Sequence, residues 1–336
     1  MKTKKVTGFI IIFLLIILFL VYVFKVAKHY PEKIDLNISS DSLGVTYSKK
    51  QAKNLGLDWK EAYLNILDDL GVKKIRIPVH WDEIEMEKDQ FDFSDYDFLI
   101  KEGEKRDVEF ILNIGARTAR WPECHFPDWI DSSDSEFLEE RIKIMLEKTI
   151  YHFKDFSSIA YWQLENEPFL NSFGLCPRAS YDFLQEELLL LRSLDNRPVI
   201  ISATGELSLW KRESQIADVF GTTMYRVVHN KFLGYLKYPY TSEFYSKKAK
   251  MNKLDFNRVF IIELQAEPWL NFEKILDPND KSYLKSASLD QIKANIQVAQ
   301  NTKFSRIYLW GVEWWYLRHS VMNDSSYWDL AKNLFR

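Results

Sequence analysis

Glycine and cysteine are both scarce in this chain. Its 336 residues include 11 glycines and 2 cysteines, and neither a Gly-x-Gly-x-x-Gly turn nor a P-loop occurs. The lack of these phosphate-binding turns argues against a dinucleotide- or nucleotide-binding open sheet. Two cysteines are too few for a cysteine-rich metal site, and the 6 histidines show no ligand spacing. We therefore expect neither a cofactor nor a metal.

Long blocks of like charge are missing as well. The 45 basic and 48 acidic residues leave a net charge of −3 and are spread along the sequence. Nucleic-acid-binding proteins carry a clustered basic surface, so no nucleic-acid partner is expected. Aromatic residues, in contrast, make up 15% of the chain. Flat aromatic rings pack in cores and also offer surfaces to the apolar faces of sugars.

One long apolar run stands near the N-terminus. Gly8 to Phe24 contain no charged residue, and a helix of this length spans about 25 Å, close to the apolar thickness of a bilayer. The run is longer than the apolar part of most cleaved signal peptides, and no small-x-small cleavage site follows it. We expect an uncleaved transmembrane helix, with residues 1–27 as the anchor.

Positive charges flank this run unequally. Three lysines lie among the first five residues, whereas Lys25 and Lys28 follow the run. The positive-inside rule then keeps the N-terminus in the cytoplasm. We expect a single-pass, membrane-anchored protein whose large domain lies outside the cytoplasm, after a polar linker over residues 28–42.

Short apolar runs rich in valine and isoleucine alternate with segments of helical period. The predicted strands cover residues 43–47, 73–79, 108–115, 158–164, 198–203, 217–225, 258–264 and 305–311. The clearest helical segments cover residues 58–71, 137–153, 181–194 and 289–302. Strands that alternate with helices in this way are typical of an α/β fold of the (β/α)8 or TIM-barrel type. We predict such a barrel over residues 43–336, with a doubly wound open sheet as the competing arrangement.

Two predicted strands end in glutamate. A TIM barrel carries its chemistry at the carboxyl ends of its strands, where core packing does not explain a charged side chain. Glu167 follows the fourth predicted strand and Glu263 lies at the end of the seventh, so the two lie across the barrel mouth from each other. A pair of carboxyl groups that flank a bond is the usual machinery of glycoside cleavage. Glu167 and Glu263 are therefore the candidate catalytic pair.

Structural roles compete with these assignments. Glu167 could accept backbone amide hydrogens at a helix start before Pro168. Glu263 could be a buried charge within a structural ion pair. Glu267 is the alternative nucleophile. Glu165 is either a neighbour whose charge raises the pKa of Glu167 or an idle surface charge.

Three motifs resemble a known group of enzymes. "WQLENEP", residues 162–168, resembles the Asn-Glu-Pro signature that closes strand four in clan A of the glycoside hydrolases. "VFIIELQAEPW", residues 259–269, is similar to the nucleophile strand of that clan. "IRIPVHWDEIEMEKDQFDFSDYD", residues 75–97, resembles the arginine-bearing strand and following loop of families five, thirty-nine and forty-two. The resemblance covers residues 43–320.

The resemblance implies a retaining β-glycoside hydrolase that acts by double displacement on an extracellular β-linked glycan or oligosaccharide. Glu167 would be the general acid/base and Glu263 the nucleophile, with their carboxyl groups about 5 to 5.5 Å apart. Asn166 would bind the 2-hydroxyl of the sugar. Arg76 and Tyr225 would hold Glu263 by charge and by hydrogen bond.

Further residues of the site follow from the same resemblance. Trp310 or Trp314 would form the aromatic floor under the sugar, and packing is the alternative role for each. His80 and Asn113 are additional candidates at the barrel mouth. A transglycosylase of envelope glycan would use the same groups, and an inactive carbohydrate-binding barrel is the third possibility. We expect a monomer whose partners are a carbohydrate and, through the anchor, the membrane.

The two cysteines follow neighbouring strands. Cys124 lies in the loop after the third predicted strand and Cys176 in the loop after the fourth. Disulfides persist outside the cytoplasm, where the barrel is expected to lie. This placement predicts a disulfide between Cys124 and Cys176, and two unpaired thiols are the alternative.

Overall fold

The computed structural model describes residues 34–230, 232–270 and 272–336, together with Ile17. The predicted anchor over residues 1–27 therefore lies outside the described residues, Ile17 excepted, as does the first part of the predicted linker. In the ranges that are described, no helix combines the length and the apolar character needed to cross a bilayer.

Eight parallel strands close into a barrel. The described residues form ten strands, which in chain order are β1 (Leu43–Thr46), β2 (Lys74–Pro78), β3 (Glu109–Ile114), β4 (Ile159–Leu164), β5 (Val199–Ala203), β6 (Val219–Met224), β7 (Val227–Asn230), β8 (Gly234–Lys237), β9 (Val259–Gln265) and β10 (Arg306–Trp310). The order around the barrel is β1-β10-β9-β6-β5-β4-β3-β2, and β7 and β8 form a separate antiparallel hairpin. The closed barrel confirms the (β/α)8 prediction and excludes the open sheet.

Helices pack around the barrel. They are α1 (Lys49–Asn54), α2 (Trp59–Asp68), α3 (Trp81–Ile84), α4 (Ser94–Glu104), α5 (Ser135–Phe153), α6 (Tyr181–Leu194), α7 (Lys211–Ile216), α8 (Ser242–Met251), α9 (Phe272–Leu276), α10 (Leu284–Ala287), α11 (Leu289–Asn301), α12 (Val312–Ser320) and α13 (Ser326–Phe335), with short 3₁₀ turns at Ser40–Ser42 and Phe256–Arg258.

The four helices predicted from periodicity each begin at a side-chain cap. Asp58, Asp134, Ser180 and Ser288 stand at the N-caps of α2, α5, α6 and α11 and accept backbone amide hydrogens from the first turn. Such caps satisfy donors that the helix itself leaves unpaired. Local sequence chemistry therefore fixes where these helices start.

The barrel interior is layered. Its middle is a buried apolar cluster that includes Ile111, Ile200, Ile262 and Tyr308. A larger apolar cluster fills the space between the strands and the helices. Arg76 pairs in register with Ile111 of β3, so its side chain lies on the inner face, as the alternation around it predicts. The buried charge of Arg76 therefore lies inside the barrel, next to the apolar cluster.

A β-bulge in β9 re-aims one of the candidate catalytic residues. The register with β6 shifts between Thr222 and Thr223, and the register with β10 shifts as well. Ile262 belongs to the inner apolar cluster, so simple alternation would turn its neighbour Glu263 outward. The side chain of Glu263 instead bonds to Arg76 inside the barrel. Bulges are a common means of redirecting a side chain next to an active site.

A disulfide joins two loops at the carboxyl ends of the strands. The sulfur atoms of Cys124 and Cys176 are 2.13 Å apart, which confirms the predicted pairing. The bond connects the β3 loop (residues 115–134) to the β4 loop (residues 165–180). These two loops are therefore held to each other beside the barrel mouth.

Candidate active site

The guanidinium of Arg76 lies at the centre of the polar residues in the barrel mouth. Its Nη1 donates to Oε1 of Glu263 at 2.7 Å, its Nε to Oε1 of Gln163 at 2.6 Å, and its Nη2 to Oδ1 of Asn166 at 2.9 Å. Arg76 is completely buried. Because a buried cation is costly without partners, these three bonds fix its position and theirs. Strands β2, β4 and β9 are thereby joined at one point.

Both carboxylate oxygens of Glu263 are held. Arg76 donates to Oε1, and the hydroxyl of Tyr225 donates to Oε2 at 2.8 Å. Burial raises the pKa of Tyr225 well above its usual value, and the negative charge of Glu263 raises it further. Tyr225 therefore stays a neutral phenol and remains a hydrogen-bond donor. The arrangement places an oriented carboxylate at the carboxyl end of β9.

Glu167 is buried on the other side of the mouth. The hydroxyl of Thr223 donates to its Oε1 at 2.8 Å, and its backbone amide donates to Oγ of Ser202 at 2.9 Å. Burial raises the pKa of Glu167 well above its usual value, and the negative charges of Glu263 and Glu123 add to the effect. Glu167 therefore holds a proton at a pH where an exposed glutamate has lost it.

The turn that carries Glu167 has an unusual backbone. Glu165 has φ 55° and Glu167 φ 45°, both in the left-handed region, which costs a residue other than glycine about 1–3 kcal/mol. Two backbone hydrogen bonds hold the turn: Glu165 donates to Ile114 at 2.8 Å and Asn166 to Arg117 at 2.7 Å. The conformation is therefore imposed by the neighbouring β3 loop, and it keeps the Asn166 and Glu167 side chains in the mouth.

Glu165 is buried, so it is not the idle surface charge that was one of its two expected roles. Its Oε1 accepts the backbone amide of Ala116 at 2.8 Å, and its Oε2 accepts that of Arg117 at 2.6 Å. A Cβ atom at Gly115, which has φ 126°, would collide with this carboxyl group. Burial raises the pKa of Glu165 to about 7. Glu165 is thus a buried anchor that holds the start of the β3 loop against the turn that carries Glu167.

Glu123 is a third carboxyl group of the site that the sequence reasoning missed. Its Oε2 accepts from Nδ2 of Asn166 at 3.0 Å and lies 3.8 Å from Nε of Arg117. Burial raises its pKa to about 7, and the charge of Glu263 contributes. The only sequence signal for Glu123 is its position next to Cys124, whose disulfide brings this part of the β3 loop to the mouth.

Arg120 covers the tryptophan that was predicted to lie under the sugar. Its Cζ lies 3.9 Å from the ring centroid of Trp310, at the end of β10. Its Nη1 donates to Glu267 at 2.5 Å and its Nη2 to Glu313 at 2.9 Å. One face of Trp310 is therefore occupied by a guanidinium. Glu267, the alternative nucleophile, lies beyond the strand and is bound to Arg120.

Trp314 lies in the packed core instead of the sugar site. It belongs to α12, is buried, and its ring contacts Tyr283 and Tyr327 at centroid distances of 5.8 and 4.6 Å. The sequence predicted only that Trp314 follows the eighth strand, and the helix Val312–Ser320 was not among the predicted helices. Because α12 turns Trp314 into an aromatic cluster, the packing alternative replaces the predicted sugar contact.

His80 and Asn113 both contact the backbone of the β3 loop at Ala119. Nε2 of His80 lies 3.1 Å from the backbone oxygen of Ala119, and its ring centroid lies 4.1 Å from that of His125, with the two rings tilted at 52°. Oδ1 of Asn113 accepts the backbone amide of Ala119 at 2.9 Å. Both residues therefore position a loop that lines the mouth. Within the described ranges, no group of three or more histidine, cysteine, aspartate or glutamate residues has the arrangement of a metal site.

Solved structures share this fold. No protein-family profile and no curated protein sequence matches the chain. An exo-β-1,4-mannosidase from Opitutaceae bacterium strain TAV5 is similar at 15% identity and a TM-score of 0.53, over 83% of this chain and 54% of that one. A β-glucosidase from Exiguobacterium marinum is 12% identical with a TM-score of 0.53, over 82% and 89%. A β-galactosidase from Bacillus circulans sp. alkalophilus is 13% identical with a TM-score of 0.50, over 83% and 51%.

The likeness to these proteins concerns the fold. The chain covers little more than half the length of the mannosidase and the galactosidase, at 54% and 51%. Identities of 12% to 15% show a shared barrel and do not by themselves show a shared chemistry.

Stability is expected to fall between mildly acidic and alkaline pH. Burial raises to about 7 the pKa of four glutamates, Glu123, Glu165, Glu206 and Glu313. In the unfolded chain a glutamate has a pKa of about 4.3, so the folded state binds more protons between these values and the free energy of unfolding falls as pH rises. The stabilisation from these four protonated glutamates is complete at a pH below the pKa of the unfolded state and is lost at a pH above the pKa of the folded state.

Scanning calorimetry of the purified protein tests this expectation. We predict a lower Tm at pH 8.5 than at pH 5.5, where the protonated carboxyls are still favoured by the fold. Carboxylates whose pKa is lowered, such as Asp68 and Glu102, lose their contribution only in more acidic solutions and leave this window unaffected. A Tm that rises from pH 5.5 to 8.5 would contradict the burial of these four groups.

Proposed function

We propose that this protein is a retaining β-glycoside hydrolase with Glu167 as general acid/base and Glu263 as nucleophile. The observation that carries the proposal is the contrast between the two carboxyl groups. Glu263 forms an ion pair with Arg76 and accepts a hydrogen bond from Tyr225, whereas burial and neighbouring negative charge raise the pKa of Glu167. A proton donor and an oriented carboxylate across one cleft are the two groups that glycoside cleavage requires. The three fold relatives described above, all glycosidases, support the same reading.

The first half of the proposed reaction forms a covalent glycosyl-enzyme. An oxygen of Glu263 attacks the anomeric carbon, the bond from that carbon to the leaving oxygen breaks, and Glu167 gives its proton to that oxygen. Asn166 binds the 2-hydroxyl of the sugar through its amide. Arg76 and Tyr225 fix the attacking carboxylate in place, so little reorganisation is needed as the bond forms.

The second half returns the enzyme to its starting state. Water attacks the anomeric carbon, Glu167 takes a proton from that water, and the ester bond to Glu263 breaks. The change of role follows from the charges of the site. Once Glu263 is esterified its negative charge is gone, so one of the causes that raise the pKa of Glu167 is removed. Glu167 then loses its proton more readily and acts as a base.

An extracellular β-linked glycan or oligosaccharide is the proposed substrate. If a sugar hydroxyl instead of water attacked the glycosyl-enzyme, the protein would be a transglycosylase. That reaction would use the same residues as hydrolysis. An inactive barrel is disfavoured because both carboxyl groups, the arginine and the tyrosine are present with bonded geometry.

The proposal includes membrane attachment through Gly8 to Phe24, with the barrel outside the cytoplasm. The apolar run and its flanking lysines support it, and the Cys124–Cys176 disulfide is of the kind that persists outside the cytoplasm. In intact cells that express the full chain, added protease should digest the barrel, and alkaline carbonate should leave undigested protein in the membrane pellet. A barrel protected from protease, or released by carbonate, would refute this attachment.

Replacement of the nucleophile tests the mechanism. Glu263→Ala should lower kcat/KM for aryl β-glycosides by about 10⁴-fold or more, because the covalent intermediate no longer forms. Added azide should then enter the vacated space and yield the α-glycosyl azide from an activated aryl β-glycoside. Glu186→Ala on the outer face of α6 is the matched control and should retain wild-type kinetics. Full activity of Glu263→Ala would reject the assignment.

The third carboxyl group is expected to tune the acid. Because the charge of Glu123 contributes to the raised pKa of Glu167, Glu123→Gln should lower that pKa and move the alkaline limb of the kcat/KM profile to lower pH. The profile distinguishes this effect from a structural one, since misplaced groups would reduce the rate and leave the limb where it is. An unmoved alkaline limb would count against the electrostatic role of Glu123.

A further inference from the structure

The β3 loop crosses the mouth of the barrel. Strands β3 and β9 lie opposite each other, four positions apart in either direction around the barrel. Arg120 in the β3 loop nevertheless bonds to Glu267 after β9 at 2.5 Å and to Glu313 at the start of α12 at 2.9 Å. The loop therefore spans the mouth from one side to the other.

A line between Glu167 and Glu263 divides the mouth into two halves. One half is bounded by β3, β2, β1 and β10, and the other by β5 and β6. Arg120 closes the first half, because its guanidinium is buried against Trp310 at the end of β10. The disulfide at Cys124 holds the same loop to the β4 loop. The first half is thus a dead end, fixed by ion pairs and by a covalent bond.

Asn166 shows which half receives the glycosyl unit. Its Oδ1 accepts from Arg76 on β2, and its Nδ2 donates to Glu123 in the β3 loop. The side chain therefore faces the closed half. Since the proposed function has Asn166 bind the 2-hydroxyl, the glycosyl unit lies in the closed half and the leaving group points toward β5 and β6.

Polar atoms without partners lie at the closed end. Nε of Arg120 and Oε2 of Glu267 are buried and have no hydrogen-bond partner among the described residues. A buried polar group left unpaired costs about 1–3 kcal/mol, so sugar hydroxyl groups that reach these two atoms would relieve that cost. A further sugar on the non-reducing side would have to displace Arg120 together with its two ion pairs.

We infer that the site accepts one sugar residue, the non-reducing terminal unit of a β-linked oligosaccharide, and releases it as a monosaccharide. Arg120, Glu267 and Glu313 form the wall that ends the pocket, and Glu123 lines it beside Asn166. The inference rests on the proposed function and narrows its substrate to chain ends. It separates this protein from enzymes that cut within a polymer, whose clefts must be open on both sides of the scissile bond.

Product analysis on labelled oligosaccharides tests the inference. The probes are cello-, manno- and β-1,4-galactopentaose labelled at the reducing end with 2-aminobenzamide, each incubated with the full-length protein. We expect the first labelled product to be the tetrasaccharide, with a monosaccharide as the sole unlabelled product at early times. Labelled di- or trisaccharide among the first products would overturn the inference while leaving the proposed function in place.

The proposed function fails in a different way. If neither these pentasaccharides nor a panel of 4-nitrophenyl β-glycosides is cleaved faster than by Glu263→Ala, hydrolysis itself is refuted. The two failures are thus distinguishable in the same set of incubations, since one changes the pattern of products and the other removes them.

A variant of the pocket wall provides a second measurement. Glu267→Gln removes the ion pair across the mouth, whereas Arg120 keeps Glu313 as a partner, so folding is expected to survive and is checked by Tm. The KM for the best 4-nitrophenyl β-glycoside should rise about 10-fold with a smaller change in kcat, because terminal-sugar contacts are lost. Glu273→Gln, an exposed glutamate in α9, is the matched control with unchanged KM. Equal KM values for wild type and Glu267→Gln would contradict the inference that Glu267 forms part of the pocket wall.

Discussion

The ion pair between Arg76 and Glu263 is the interaction on which the rest of the site depends. A guanidinium with no solvent exposure is tolerated inside a barrel only when its charge and its donors are matched. Glu263 supplies the charge, and Gln163 and Asn166 supply further acceptors. The same charge of Glu263 then acts on Glu167 across the mouth and raises its pKa. One buried cation thereby orients Glu263, the proposed nucleophile, whose charge in turn raises the pKa of Glu167, the proposed acid.

Much of the fold could be predicted because short segments of the sequence determine its strands and helices. Apolar runs separated by segments of helical period placed all eight barrel strands within two residues of their observed bounds. The four predicted helices have side-chain caps that any reader of the sequence can find. The disulfide followed from topology, because loops after consecutive strands of a parallel barrel are neighbours. Glu167 and Glu263 were singled out as candidates because a charge at the end of an apolar strand needs an explanation.

The remainder depends on contacts between distant parts of the chain. Glu123 and Arg120 lie in a loop whose path is set by a disulfide, by the anchor carboxylate of Glu165 and by ion pairs across the mouth. Sequence periodicity carries no information about such a path. The bulge in β9 is another case, since alternation would have turned Glu263 outward. Trp314 was misplaced because α12, which begins directly after β10 and was not predicted, carries its side chain into the packed core.

Trapping of the glycosyl-enzyme tests the central claim most directly. A 2,4-dinitrophenyl 2-deoxy-2-fluoro-β-glycoside of the preferred sugar slows both steps but keeps a good leaving group, so the covalent intermediate accumulates. Mass spectrometry of the digested protein should find one fluoroglycosyl unit on the peptide that contains Glu263, with the modification on that residue. A label on Glu267, or turnover of the sugar with no labelled peptide, would contradict the account.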